Sequence, residues 1–139
     1  MFTNILVPVD FSEATVTALS TAATLALQGN AVVTLLHVIE SVELVPQAEL
    51  QSFYDQLSAV AQRQMNSTVD HLQEQGITVC SKILIGRRAE EIVRYAAGHS
   101  IDLIVCGSHR FDPDQPSYAI GTVSHTVAVL AQCAVLLVK

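Results

Sequence analysis

Near the start of the chain stands Asn4-Ile5-Leu6-Val7-Pro8-Val9-Asp10-Phe11-Ser12-Glu13, in which a strand pattern passes directly into a helix start. Asn4 to Val9 is a near-continuous apolar run, which is typical of a strand covered on both faces. Pro8 has no N–H for a sheet, so we expect it at a strand end. Ser12 is a favourable N-cap residue, and Glu13 puts an acid in the first turn, where the helix dipole stabilises it.

The same alternation continues along the chain. Four further strands are predicted at Ala31 to Ile39, Ile77 to Ile85, Ile101 to Cys106 and Ala134 to Val138. The predicted helices run from Ser12 to about Gly29-Asn30, from Ala48 to Gln75, from Ala89 to Gly98, and onward from Gly121-Thr122. Such alternation implies a parallel sheet with right-handed crossovers. We predict an α/β fold, a single doubly wound, five-stranded parallel sheet with helices on both faces (Rossmann-like), in one domain over residues 1–139.

The longest predicted helix carries apolar residues at helical spacing. Its inward face is predicted to hold Leu50, Phe53, Leu57, Val60, Met65, Val69 and Leu72. Arg87-Arg88 beside Glu90-Glu91 is interpreted as a solvated, mutually compensating start of the third helix.

Composition excludes several classes of protein. The chain has 13 acidic and 7 basic residues, a net charge of −6, whereas a general nucleic-acid binder needs clustered Lys and Arg. Half of the residues are hydrophobic and 14% are charged, which excludes disorder.

The longest apolar stretch, Val127 to Val138, is shorter than the roughly 20 residues of a membrane span. Met1 to Asn4 lacks the basic start of a secretory signal, so we expect a soluble, cytoplasmic protein.

Cysteines and histidines favour neither a disulfide framework nor a zinc site. The three cysteines (Cys80, Cys106 and Cys133) are an odd number, each close to apolar residues. None of the five histidines is paired at metal-binding spacing, so no metal ligand is predicted. Cys106 is predicted to be a buried, inert thiol. No nucleophile, base and orienting acid form a triad by spacing, and no catalytic residue is predicted.

Ligands of open α/β sheets bind beyond the carboxyl ends of the strands, where the strand order reverses. The first loop, Pro8 to Ser12, contains no glycine, and no G-x-x-x-x-G-K-[ST] occurs in the chain, so a dinucleotide fingerprint and a P-loop are excluded. Asp10 has two open interpretations. It can accept hydrogen bonds from ribose hydroxyls, or it can complete the helix start beside Ser12.

The segment after the fourth strand is the second candidate. Gly107 permits a close backbone approach, and Gly121-Thr122 opens a helix whose free N–H groups favour an anion. His109 and Arg110 supply donors, and arginine can hold phosphate oxygens with two bonds. The alternative interpretation is a turn glycine, a helix-start glycine and a solvated basic pair. Asp112 and Asp114 repel phosphates unless they face solvent or share a Mg²⁺ ion with them.

Several segments resemble the universal stress protein family. They are Ile5 to Ser12, Leu36-His37-Val38, Gly86, Asp102 to Ser108, and Cys133 to Val138. The resemblance covers essentially the whole chain with one modest insertion. It implies the five-stranded parallel sheet of the universal stress protein type, usually as a homodimer joined along the last strands.

Nucleotide-binding members of that family carry G-x2-G-x9-G-[S/T] after the fourth strand. Gly107 matches the first glycine and Gly121-Thr122 the last pair, whereas Arg110 replaces the middle glycine and the stretch up to Gly121 is one residue longer. Ser108-His109-Arg110-x-Asp112 followed by Tyr118 looks like a variant from a nucleotide-binding branch. The resemblance implies adenine and ribose contacts from Pro8, Asp10 and the backbone of Val38, and phosphate contacts from Gly107, Gly121, Thr122 and Val123. The predicted nucleotide site also includes Val9, Ser108, His109 and Arg110, the last two because of their donor groups.

These residues lead to a functional hypothesis with two rivals. We expect a regulatory module of the stress response that binds ATP, ADP or AMP, with Mg²⁺ as a possible companion, and that signals through an unidentified protein partner. The first rival is a nucleotide-independent, dimeric protein-interaction module of the same fold. The second is an ATPase or nucleotidyl-transfer enzyme, although we expect at most slow ATP hydrolysis. A homodimer through Ala134 to Val138 is predicted because an exposed strand edge invites pairing.

Overall fold

The computed structural model describes residues 1–42, 47–108, 113–114 and 122–139. The strands are β1 (Asn4–Pro8), β2 (Val32–Glu40), β3 (Thr78–Gly86), β4 (Leu103–Gly107) and β5 (Ala134–Val138). The helices are α1 (Glu13–Gly29), α2 (Gln51–Glu74), α3 (Arg88–Gly98) and α4 (Val123–Leu130), with a short 3-10 helix at Gln47–Leu50. The predicted alternation is confirmed, and Pro8 does end its strand.

All neighbouring strands are parallel, in the order β3-β2-β1-β4-β5. β1 lies at the centre, with Ile5 and Val7 in the core under α1 and α2 and Leu6 in the core under α3 and α4. The chain moves outward from β1 to β3 in one direction and from β4 to β5 in the other. The strand order therefore reverses between β1 and β4, which is where ligands of such sheets bind.

The predicted inward face of α2 is wrong in the first half of the helix. Phe53 and Val60 are 48% and 46% exposed, and Leu57 also faces solvent, whereas Tyr54 and Ala61 are buried. The Tyr54 hydroxyl accepts a hydrogen bond from the Val42 N–H at 3.0 Å, so the ring can be buried without an unsatisfied polar group. In the second half, Met65 and Leu72 are buried as predicted.

Asp102 ties the start of β1 to the start of β4. Its Oδ2 accepts from the backbone N–H and the hydroxyl of Thr3 at 2.8 and 3.0 Å, and its Oδ1 accepts from the Asn4 N–H at 3.1 Å. Burial acts to raise the pKa of Asp102, but these hydrogen bonds outweigh it and lower the pKa. The stabilisation is therefore present above the unfolded-state pKa and is lost as the pH falls through the folded-state pKa.

Asp102→Asn should lower the free energy of unfolding at pH 7 by about 1 kcal/mol, because the amide replaces a charged acceptor of three hydrogen bonds at a solvent-accessible site. Urea denaturation between pH 2 and pH 7 measures the difference. Below the folded-state pKa, the variant and the wild type should become equally stable. Asp70→Asn on the exposed side of α2 is the control, and a difference for Asp102→Asn that persists unchanged at low pH would contradict the assignment.

None of the helices in the described ranges combines the length and apolar character required to cross a bilayer. Cys80, Cys106 and Cys133 are all free thiols.

Candidate functional site

A cleft opens at the carboxyl ends of β2, β1 and β4, over the point where the strand order reverses. It has a volume of about 550 Å³ when the open solvent at its mouth is included. Its walls are formed by Pro8, Val9, Asp10, Ala14, Thr15, Leu36, Val38, Arg88, Ile92, Cys106, Gly107, Val123 and Ser124.

The residues predicted from the sequence are distributed unevenly around this cleft. Six of them line it, namely Pro8, Val9, Asp10, Val38, Gly107 and Val123. Ser108 and Thr122 are adjacent in sequence to lining residues but do not line the cleft themselves. His109, Arg110 and Gly121 lie outside the described residues.

Asp10 uses one carboxylate oxygen to organise the start of α1. Its Oδ1 accepts from the Ser12 N–H at 3.0 Å and from the hydroxyls of Ser12 and Thr15 at 2.5 Å each. The intervening Phe11 has a φ of 63°, a left-handed conformation that is uncommon for a side chain of this size. In the described part of the chain, no group donates to Oδ2, so this oxygen can accept a hydrogen bond from a bound ligand. One carboxylate can therefore serve both predicted roles. The Ser12 hydroxyl bonds to Asp10 and does not make the expected N-cap bond.

The carboxylate of Asp10 is held in its ionised form. Burial acts to raise its pKa, but the hydrogen bonds from Ser12 and Thr15 outweigh burial, and the positive charge of Arg88 acts in the same direction, so the pKa is lowered. Asp10 is therefore a charged acceptor at neutral pH. Such a group attracts hydroxyl donors and repels phosphate oxygens.

The start of α4 forms the opposite side of the cleft. Thr122 is the N-cap residue, and its hydroxyl oxygen accepts from the His125 N–H at 3.2 Å. Val123 and Ser124 occupy the first turn and line the cleft. Since N–H groups of a first turn have no acceptor within their own helix, the Val123 and Ser124 amides are suited to an anion.

Gly107 makes a close approach, but to α1. A Cβ atom at this position would lie 2.4 Å from the carbonyl oxygen of Ala14 and 2.6 Å from its carbonyl carbon. The absence of a side chain therefore lets the end of β4 pack directly against the first turn of α1. Ser108 turns towards β5, because its N–H donates to the Val138 carbonyl at 2.7 Å and its hydroxyl oxygen lies 3.2 Å from Lys139 Nζ.

The floor of the cleft is apolar. Leu36, Val38, Ile92 and Cys106 are all less than 5% exposed. Burial raises the pKa of the Cys106 thiol to about 12, so it is protonated at neutral pH and is not a nucleophile. The floor can therefore accept an apolar, flat group without offering it reactive chemistry.

Arg88 was not included in the predicted site. Of the compensating charges predicted at the start of α3, Arg87 and Glu90 do pair, at 3.4 Å, whereas Arg88 pairs with Glu40 instead. Its Nε donates to the Val38 carbonyl at 3.3 Å and lies 3.7 Å from Glu40 Oε2. Glu91 instead pairs with Arg94, at 2.6 Å. The sequence does contain one indication that Arg88 lies near the cleft. Since α3 follows β3, it must begin at the same edge of the sheet as the predicted ligand loops.

Three kinds of binding group lie side by side in the cleft, in the order of the strands. The apolar side chains of Leu36 and Val38 and the Val38 carbonyl lie at β2, the Asp10 carboxylate lies at β1, and the first turn of α4 lies beyond β4. Among the described residues that line the cleft, Asp10 is the one anion and Arg88 the one cation. No cluster of three or more possible metal-ligating side chains occurs among the described residues.

Comparison with known proteins points to one family. The universal stress protein YxiE of Bacillus subtilis is 26% identical to the chain, with 100% of both sequences covered. The solved structure of MJ0577, a universal stress protein of Methanocaldococcus jannaschii, is 31% identical with a TM-score of 0.87, covering 100% of this chain and 96% of its own. The universal stress protein UspA from Lactobacillus plantarum is 29% identical with a TM-score of 0.86, covering 99% and 98%.

Two more distant universal stress proteins share the fold and were solved with nucleotides. One, in complex with cAMP, is 18% identical with a TM-score of 0.74, covering 99% of this chain and 97% of its own. The other, from Archaeoglobus fulgidus in complex with dAMP, is 20% identical with a TM-score of 0.71, covering 99% and 98%. The sequence profile of the universal stress protein family matches residues 1–139, and the chain therefore belongs to that family.

Proposed function

We propose that the cleft binds an adenine nucleotide, ATP, ADP or AMP, and that the protein acts as a nucleotide-dependent regulatory module. The observation that carries the proposal is the order in which the three kinds of binding group lie across the strands. An apolar floor with a backbone acceptor suits a purine, a charged acceptor suits ribose hydroxyls, and helix-start amides suit phosphate.

This order of binding groups also sets the orientation of the nucleotide in the cleft. Phosphate cannot lie at β1, because the Asp10 carboxylate is ionised and would repel it. Phosphate therefore lies at the start of α4, the ribose at Asp10, and the base over Val38 and Ile92. The cAMP and dAMP complexes support adenine at the level of the fold, since both proteins accommodate it within the same architecture.

The segment between β4 and α4 completes the proposal on the phosphate side. His109, Arg110, Gly121 and Thr122 remain its proposed contacts, with Mg²⁺ shared between the phosphates and a carboxylate of the same segment. Ser108 is no longer among them, because it is turned towards β5. We propose no catalytic residue in the cleft, and the regulatory readout is a change in the surface offered to a protein partner in the cytoplasm.

Titration calorimetry with AMP, ADP, ATP and ribose 5-phosphate tests the proposal. We expect saturable binding of the three adenine nucleotides at one site per chain, and much weaker binding of ribose 5-phosphate, because it buries no base against the apolar floor. Absence of binding at millimolar AMP, ADP and ATP would contradict the proposal and favour the nucleotide-independent interaction module.

We also propose that β5 joins two copies of the chain. Among the described strands, β5 pairs with β4 on one side and forms the edge of the sheet on the other. The Val138 carbonyl accepts from Ser108 and so faces β4, which means that the peptide groups of the alternate residues Val135 and Leu137 face the open edge. A two-fold pairing of this edge would satisfy them and cover Leu136, which is 38% exposed.

Leu136→Lys should convert the dimer into a monomer, because a two-fold pairing would bring two lysines together. Analytical ultracentrifugation measures the change, with an expected wild-type mass of about twice 14.9 kDa. Val16→Lys is the control, since Val16 is 66% exposed on α1. A wild-type protein that sediments as a monomer at all concentrations would contradict the dimer.

A further inference from the structure

Arg88 lies between two cavities. It lines the cleft described above, and together with Val123 it also lines a separate surface groove between the start of α3 and the length of α4. This outer groove has a volume of about 640 Å³ including open solvent, and its wall includes Val123, Thr126 and Leu130. Arg88 and Val123 are the described residues common to both linings, so they lie at the boundary between the cleft and the outer groove.

Contacts with β2 hold the arginine in this position. Its backbone N–H donates to Glu40 Oε2 at 3.3 Å, and the same oxygen lies 3.7 Å from its Nε. Nε also donates to the Val38 carbonyl at 3.3 Å. The side chain is 44% exposed, so it forms a wall at the surface rather than part of the core.

The Val38 carbonyl lies at the end of the cleft that the base would occupy. β1 ends at Pro8, opposite Leu36, and the Leu36 carbonyl accepts from the Val9 N–H at 2.9 Å. Alternate residues of a parallel strand direct their peptide groups to the same side, so Val38 directs its own past the end of β1. A base with an exocyclic amine would point that amine at this carbonyl, with Arg88 immediately behind it.

We infer that Arg88 is a specificity-determining residue that sets the length of the base end of the cleft. An unsubstituted purine amine fits in front of the arginine, whereas a bulky group on that amine would have to occupy the space of the arginine side chain. The inference rests on the proposed nucleotide binding. Without the side chain, the cleft and the outer groove become continuous, and Val123 and Leu130 offer an apolar surface to the added group.

The test compares AMP with N6-benzyl-AMP by titration calorimetry, on the wild type and on Arg88→Ala. The wild type should prefer AMP, and Arg88→Ala should reduce that preference at least about tenfold. The ratio of the two dissociation constants is the readout, because any change in attraction for the phosphate affects both ligands equally. Arg88→Met, which keeps the bulk of the side chain but not its charge, should retain the wild-type ratio.

Arg87→Ala is the matched control, since Arg87 lines the outer groove but not the cleft and pairs with Glu90 at 3.4 Å. It should retain the wild-type ratio. Equal affinity of the wild type for both ligands, or an Arg88→Ala ratio equal to that of the wild type, would overturn the inference while leaving nucleotide binding intact. Failure of all four proteins to bind AMP would overturn the proposed function itself and the inference with it.

Discussion

Gly107→Ala should lower the free energy of unfolding by about 3 kcal/mol, which is a large effect for one methyl group. The added Cβ would lie 2.4 Å from the Ala14 carbonyl oxygen, and a backbone atom cannot move aside as a flexible side chain can. The first turn of α1 must therefore shift away from β4. Because this turn holds Thr15, and Thr15 bonds to Asp10, we also expect weaker nucleotide binding.

Gly98→Ala is the control for this substitution. Gly98 lies in the last turn of α3, and a Cβ atom there would meet nothing within 4 Å. Alanine favours helix over glycine, so this variant should be unchanged or slightly more stable, by up to about 1 kcal/mol. Urea denaturation of both variants gives the comparison, and equal stability of Gly107→Ala and the wild type would show that β4 and α1 do not approach as described.

Asp10→Asn should weaken ATP binding at least about tenfold, because a hydrogen bond to a charged acceptor contributes about 1.5–3 kcal/mol. The asparagine oxygen can still accept from Ser12 and Thr15, so the start of α1 is expected to survive. Since the pKa of Asp10 is lowered, the carboxylate stays ionised from mildly acidic to alkaline pH, and its contribution to wild-type affinity should be constant there.

A modified ligand identifies the group that Asp10 contacts. With 2′,3′-dideoxy-ATP, which has no ribose hydroxyl to donate, the wild type and Asp10→Asn should bind equally. Glu13→Gln removes a neighbouring negative charge from the first turn of α1 without touching the cleft, and its affinity for ATP should match the wild type. A tenfold loss that persists with the dideoxy ligand would place the ribose elsewhere.

Much of the fold could be predicted because buried parallel strands leave a simple pattern. β1 and β4 are continuous apolar runs, and their carboxyl ends share one edge of the sheet, so the sequence alone assigns Asp10 and Gly107 to one region. The rotation of α2 could not be predicted as reliably, because its first half carries apolar residues on more than one face. Tyr54 is buried instead of Phe53, and the buried Tyr54 hydroxyl is hydrogen-bonded to Val42, which belongs to another segment of the chain.

The parts of the cleft that were missed depend on contacts between distant segments. Arg88 faces the cleft because Glu40 and the Val38 carbonyl, both on β2, hold it there. Gly107 was assigned a close approach from its residue type alone, but only the packing of β4 on α1 identifies Ala14 as the group approached. Local sequence patterns carry neither kind of information.

Heat denaturation with and without ATP and Mg²⁺ tests nucleotide binding most directly. Ligand at about 100 times its dissociation constant should add about 2.7 kcal/mol of stability, which for a domain of this size raises the midpoint by about 5–10 °C. We predict that shift for the wild type and a smaller one for Asp10→Asn at the same concentration. An unchanged wild-type midpoint at millimolar ATP would contradict the assignment of the cleft as a nucleotide site.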